Sequence, residues 1–157
     1  MSGGTGGRRS ALAAVCIGLV CLCPGCSSDD ARTKPAAVQG YLAAIEKSDA
    51  EALRSFLAYQ PDGDPDSLVT GARIPLECAR LEEQGLAHLH PVAGAPVRWA
   101  RVSPPSSVTG GGSASATLDL AYFPLHNGGE EGREVIEVGR SWYVLAEEND
   151  ACNKLFD

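Results

Sequence analysis

The spacing of the apolar residues changes once along this chain, and the change limits which folds are possible. Before residue 86 apolar side chains recur with a helical period, as in Val38, Tyr41, Leu42 and Ile45. From residue 92 onward they alternate with a period of two, which is typical of strands with one buried face. Helices followed by strands predict an α+β domain, with the helices packed on one face of an antiparallel sheet.

Two helices are predicted at the start of the domain. Pro35 suits the first turn of a helix over 35–47, because its missing N–H needs no partner there. Ser48 and Glu51 have the spacing of a capping box, which predicts a second helix over 49–59.

A third helix and four strands follow. The helix is predicted from Pro75 to Gly85, where the glycine stands at a C-terminal cap position. The last two strands flank Gly139-Arg140, and glycine in first place suits a type II′ hairpin turn. Alternation in the second strand places three residues together on the predicted core face: Leu118, Leu120 and Tyr122.

The first thirty residues have the order of an export signal. Arg8-Arg9 supply positive charge, residues 11–23 are an apolar run, and Pro24-Gly25 precedes Cys26. As a helix the run covers about 20 Å, less than the ~30 Å hydrocarbon core of a membrane. We therefore expect residues 1–25 to be a signal peptide, for general secretion or for the twin-arginine route.

The end of this segment resembles the lipobox of bacterial lipoproteins, in which a small residue precedes a cysteine. The resemblance implies lipidation at Cys26, a polar tether over 26–34, and a domain held on the outer face of the bacterial cytoplasmic membrane. Ordinary cleavage and release is the alternative. The Cys-Pro-Gly-Cys at 23–26 also has redox spacing, but that chemistry needs a helix start after a strand, not the end of an export segment.

Cys78 and Cys152 are the only other cysteines that remain after cleavage. Disulfides persist outside the cytoplasm. We therefore predict that these two cysteines pair and link the third helix to the C-terminal segment.

Charge argues against one class of partner. All 20 acidic residues lie from Asp29 onward, so the chain after residue 25 carries 11 − 20 = −9. Nucleic-acid binding depends on clustered Lys and Arg, which this part of the sequence lacks. The expected partners are the membrane through the lipid anchor, and an envelope protein or a small apolar ligand.

Two segments carry a further resemblance. "VQGYLAAIEKSDAEALRSFL" near the start and "VIEVGRSWYVLAE" near the end resemble the nuclear transport factor 2-like (SnoaL-like) superfamily. The resemblance covers residues 35–157. It implies a single domain in which a curved sheet wraps the helices, like a cone, around a pocket.

Two patterns suggest metal ligands at first sight. Asp62, Asp64 and Asp66 stand at positions one, three and five of a calcium loop, but the glycine and glutamate that the loop needs are absent. His88 and His90 would share one face of a strand, but no third ligand is near them in the sequence. We expect a solvated acidic loop and surface histidines, with no metal or cofactor.

Asp119 is the candidate acid or base. In a pocket, desolvation would raise its pKa and allow proton transfer, with His126 as a partner. Alternation, however, places Asp119 on the side opposite the leucines, which predicts an outward carboxylate. Three aromatic residues line an apolar cavity or form plain core: Trp99, Tyr122 and Trp142.

The sequence contains no nucleophile–base pair, metal set or cofactor loop from which a catalytic site can be assembled. We therefore expect a non-catalytic binding or accessory domain whose ligand is not identified by the sequence. One alternative is a small pocket enzyme (an isomerase, dehydratase or hydrolase) that uses Asp119. The other is a protein-interaction domain whose interior is filled by its own side chains.

Overall fold

A computed structural model describes residues 32–101, 108–110 and 114–156. The predicted signal peptide, Cys26 and most of the predicted tether lie outside these residues. Within the described ranges, no helix is both long enough and apolar enough to cross a membrane.

Four helices and seven strands are described. The helices are α1 (Lys34–Glu46), α2 (Ala50–Arg54), α3 (Leu76–Ala87) and α4 (Asp150–Asn153). The strands are β1 (Leu57–Tyr59), β2 (Val69–Thr70), β3 (Arg98–Arg101), β4 (Val108–Gly110), β5 (Ala114–Pro124), β6 (Glu130–Val138) and β7 (Ser141–Leu145).

The strands form a mixed sheet, so the predicted α+β class is confirmed. Six of them follow the order β2-β1-β7-β6-β5-β3, and β4 pairs with β5. All pairs are antiparallel except β1 with β7, which are parallel. The helices pack against one face of this sheet, where most of the buried apolar side chains form one cluster.

Helix α1 begins where the sequence predicts. Thr33 caps it by accepting a hydrogen bond from the Ala36 N–H at 3.4 Å, and Pro35 lies in the first turn. The predicted apolar face is buried along its length, at Val38, Tyr41, Leu42 and Ile45.

The second helix is shorter than predicted, because its last residues form a strand. Helix α2 ends at Arg54, and Leu57–Tyr59 is β1, paired in parallel with β7. All three residues of β1 are buried. Periodicity alone cannot separate a short, fully buried strand from a continued helix. The cap also differs, since Asp49 rather than Ser48 accepts the Ala52 N–H, at 2.9 Å.

Helix α3 continues past its predicted end. Gly85 lies inside the helix, which ends at Ala87. Gly85 does not have the positive φ that a glycine at a C-terminal cap adopts. An isolated glycine inside a helix is tolerated at a cost of about 1 kcal/mol.

The inner face of β5 is the opposite of the predicted one. Ala121 and Phe123 face the helices and are fully buried. Leu118 lies on the other side of the sheet, in a smaller cluster with Ala58 and Ile136. Both faces of the sheet carry apolar clusters, so alternation in one strand does not identify the inner face.

The hairpin between β6 and β7 agrees with the sequence. Gly139 has a φ of +66°, whereas Arg140 is not among the residues with positive φ. This combination fits the predicted type II′ turn, in which only the first of the two loop residues needs positive φ.

The predicted pairing of Cys78 with Cys152 is present in the structure. It joins α3 to α4 across a sequence separation of 74, and both residues are buried. A loop of this length corresponds to about 4 kcal/mol of restricted denatured-state entropy. The C-terminal segment is also held by Phe156, whose ring stacks on Tyr59 at 5.5 Å.

Two glycines in helix interiors provide a matched pair for a stability test. A Cβ on Gly40 in α1 would overlap the Phe56 ring, whereas a Cβ on Gly85 in α3 would meet nothing within 4 Å. We expect Gly40→Ala to destabilise the domain by about 1–3 kcal/mol, because the overlap exceeds the gain in helix propensity. Gly85→Ala should stabilise it by up to about 1 kcal/mol. Urea unfolding measures both, and equal effects would contradict the predicted packing of Phe56.

Candidate functional site

Two groups of polar and aromatic side chains lie on the helix-facing side of the sheet. We call the first the tryptophan site, which consists of Lys34, Trp99, Asp119 and Trp142. We call the second the acid network, which consists of Tyr41, Glu82, Glu131, Arg133 and Glu147.

The tryptophan site is assembled from one helix and three strands. Trp99 in β3 lies opposite Ala121, whose side chain faces the helices. Asp119 lies two residues before Ala121 on β5, so it shares the same face. Trp142 is the second residue of β7 and packs against the helix-side cluster. Lys34 is the first residue of α1.

The Lys34 ammonium is the centre of the tryptophan site. Its Nζ lies 2.6 Å from Asp119 Oδ2 and 4.6 and 5.3 Å from the ring centroids of Trp99 and Trp142. The first turn of a helix disfavours a cation, and α1 has no acidic residue there. The carboxylate and the two ring faces therefore compensate a charge that the helix itself does not favour.

The site borders an open cleft of about 260 Å³. Lys34, Trp99, Ala100, Arg101 and Asp119 line this cleft. The Lys34 side chain is 29% exposed and the Asp119 side chain 13%. The ion pair is therefore reachable from solvent while most of its surface is covered.

Arg32 fixes the chain beside the tryptophan site. Its N–H donates to Ser141 Oγ at 3.1 Å, and its carbonyl oxygen accepts the Trp142 N–H at 3.0 Å. Its guanidinium donates to the Ser55 carbonyl and lies 4.5 Å from the Phe56 ring centroid. The last three residues of the predicted tether, 32–34, are thus attached to the domain.

The acid network lies deeper, where α1, α3 and β6 meet. The Tyr41 hydroxyl donates to Glu82 Oε1 at 2.6 Å, and Arg133 Nε lies 3.6 Å from the same oxygen. Arg133 also pairs with Glu131, and with Glu147 at 3.1 Å. Glu82 and Arg133 are each 8% exposed, so Glu82 is the buried partner of a cation that is nearly removed from water. Glu131 and Glu147 contact the same cation from more exposed positions.

Burial controls the ionisation of this network. Desolvation raises the pKa of Glu82, although the Tyr41 hydrogen bond and the Arg133 charge oppose the shift. Burial and then the Glu82 charge raise the pKa of Tyr41 well above its ordinary value. Arg133 Nε has no hydrogen-bond partner within the described part of the chain.

The cavity beside the acid network is small. It measures about 90 Å³, and Glu82, Arg133, Glu147 and the disulfide are among the groups that line it. Ligand pockets commonly measure about 300–1,000 Å³. The space between α3 and the sheet is therefore filled mainly by the domain's own side chains, with room for little more than water or a very small molecule.

Asp119 does not lie where the alternation of β5 predicts. Its carboxylate faces the helices and is paired with Lys34, so the predicted outward orientation is wrong. It is also far from His126, because β5 alone extends about 16 Å from Asp119 to Pro124. The His126 N–H donates instead to the His90 carbonyl at 2.9 Å.

The other predicted groups lie apart from both sites. His88 and His90 are exposed at the end of α3 rather than on a strand. Asp62 and Asp66 lie in two short turns, Pro61–Gly63 and Pro65–Ser67, and Asp64 lies between these turns. No group of three His, Cys, Asp or Glu side chains in the described ranges is arranged to hold a metal ion.

Sequence reasoning found part of the tryptophan site and missed the acid network. Trp99 and Trp142 do border one polar site, whereas Tyr122 lies on the other face of the sheet under Arg98. The signal for the acid network was Glu82, which follows Cys78 by one helical turn and therefore shares its buried face.

Comparison of the sequence with known protein families finds no match, and comparison with curated proteins finds no relative.

The acid network predicts a pH dependence of stability. Because the folded state raises the pKa of Glu82 above 4.5, it binds the proton more tightly than the unfolded chain does. Its contribution to stability is therefore complete at low pH and is lost as pH rises from about 4.5 through the raised pKa. Glu82→Gln should abolish this loss, and Glu77→Gln on the exposed part of α3 should leave it intact. Urea unfolding between pH 4 and 7 measures the three proteins; parallel curves for wild type and Glu82→Gln would contradict the assignment.

Proposed function

We propose that this protein is a lipid-anchored, non-catalytic binding domain of the bacterial cell envelope, which contacts its partner through the tryptophan site. Acylation at Cys26 would hold it on the outer face of the cytoplasmic membrane. The domain that follows would be of the nuclear transport factor 2-like type, used here as an interaction domain rather than as a container for a ligand.

The contrast between interior and surface carries this proposal. The cavity beside the acid network is about 90 Å³, far below the size of common ligand pockets. The cleft beside the tryptophan site is about 260 Å³ and open, and the site contains both tryptophans of the chain. Tryptophan is enriched at the energetic centres of interfaces, because its large ring is apolar and still offers a hydrogen-bond donor.

The contacts of Asp119 favour a binding surface over the alternative of a small pocket enzyme. Asp119 does line an open cleft, which is what that enzyme would need. Its carboxylate, however, is hydrogen-bonded to the Lys34 ammonium at 2.6 Å, so this oxygen is already occupied by a partner within the domain. His126, the proton-transfer partner suggested by the sequence, lies beyond the far end of β5.

The attachment of Arg32 would keep the tryptophan site close to the membrane. From Cys26 to Arg32 the chain advances 32 − 26 = 6 residues, which span about 20 Å at most when fully extended. Arg32 is bonded to the residues that begin β7. The partner would therefore be a component of the membrane surface or of the layer next to it.

Replacement of Cys26 tests the anchor. Two or three acyl chains, at about 0.8 kcal/mol for each buried CH₂, hold a protein stably on a membrane. Cys26→Ala should therefore move the protein from the membrane fraction to the soluble or secreted fraction. Cys16→Ala, within the apolar run, is the matched control and should leave the protein on the membrane. Retention of Cys26→Ala would contradict the lipid anchor.

Site-specific photo-crosslinking tests the binding surface. Arg101 lines the cleft, and Arg98 lies three residues earlier on β3 with its side chain on the other face of the sheet. A photoreactive phenylalanine analogue at 101, in intact cells, should give a discrete adduct with an envelope component. The same analogue at 98 should not. Adducts at both positions, or at neither, would contradict binding through the tryptophan site.

A further inference from the structure

We propose that the tryptophan site recognises a primary ammonium group of the partner, and that Lys34 is a built-in occupant which this group replaces. The inference rests on the proposed function, because it names the chemistry that the same site would bind. Lys34 shows that the site accommodates an alkylammonium group, since it holds one now.

The geometry requires a cation that carries an N–H group, and the cation that now occupies the site is a primary ammonium. The 2.6 Å contact between Nζ and Asp119 Oδ2 is a charge-assisted hydrogen bond, which needs an N–H on the cation. The rings of Trp99 and Trp142 attract the same charge through their faces. A quaternary ammonium would keep the contact with the rings but lose the hydrogen bond to the carboxylate. Lysine side chains and linear diamines match all three contacts.

Lys34 can leave the site without unfolding the chain around it. Helix α1 is capped by Thr33 rather than by Lys34, and the backbone of Arg32 is hydrogen-bonded to Ser141 and Trp142. Removing a cation from the first turn also suits the helix dipole. The Lys34 side chain is already partly exposed, so an incoming ammonium can approach from the cleft.

Chemical rescue of Lys34→Ala tests the ammonium chemistry. Both tryptophans of the chain belong to the site, so intrinsic fluorescence of the whole protein in detergent reports on this site alone. Addition of n-propylammonium, which matches the atoms deleted beyond Cβ, should give a saturable change with a midpoint in the millimolar range. Wild type and Lys47→Ala should show no saturable change, because Lys34 fills the site in both.

Three comparisons make this test specific. Propan-1-ol, a neutral analogue, should give no saturable change in Lys34→Ala. Adding Asp119→Asn to Lys34→Ala should weaken the response by about fivefold or more, which corresponds to about 1 kcal/mol. Lys34→Met, which fills the site without a charge, should not respond. Circular dichroism confirms that each variant is folded; a folded Lys34→Ala that ignores propylammonium, or responds equally to the alcohol, overturns the proposal.

A second measurement separates this inference from the proposed function. In intact cells, the adduct from a photoreactive analogue at 101 should increase when Lys34→Ala is added, because the partner's ammonium no longer competes with Lys34. An adduct that is present but unchanged by Lys34→Ala would leave binding through this surface intact and overturn the ammonium chemistry. Absence of any adduct, together with a positive rescue, would instead contradict the proposed function.

Discussion

The hydrogen bond from Tyr41 to Glu82 is the contact on which the helical layer depends. It joins α1 to α3 beneath the surface, and Arg133 of β6 completes the group. A carboxylate and a guanidinium that are nearly removed from water remain stable only when their partners stay in place, and loss of one partner costs about 3–5 kcal/mol. The three elements therefore have one favourable arrangement, and the disulfide on α3 lies a single turn from Glu82.

The acid network and the tryptophan site differ in how accessible their ion pairs are to solvent. The centre of the acid network, Tyr41, Glu82 and Arg133, is buried, and its charged groups are paired with one another beside a cavity too small for most ligands. The tryptophan site uses similar chemistry at the surface, where one partner is a flexible lysine at the start of a helix. Buried polar groups specify the packing of a core, whereas an accessible ion pair between aromatic rings can exchange one partner for another.

The long periodic elements were predictable from sequence, and the short or doubly buried ones were not. Helix α1 differs from its predicted bounds by one residue at each end, because its apolar face repeats with a helical period over about two turns, from Val38 to Ile45. The sequence predicts helix where β1 forms, since its three residues are buried by contacts with β7 that the local sequence does not encode. Asp119 was assigned to the wrong face for a related reason: its ion partner, Lys34, lies 85 residues away.

The attachment of Arg32 has a mechanical consequence. Its main-chain bonds join the incoming chain to the start of β7, which lies between β1 and β6 inside the sheet. A pull along the chain that precedes Arg32 would load these bonds before it reached α1. Helix α1 contributes more buried residues to the core than any other helix. The two hydrogen bonds of Arg32 would therefore protect the core from tension, because they can break and re-form while α1 stays packed.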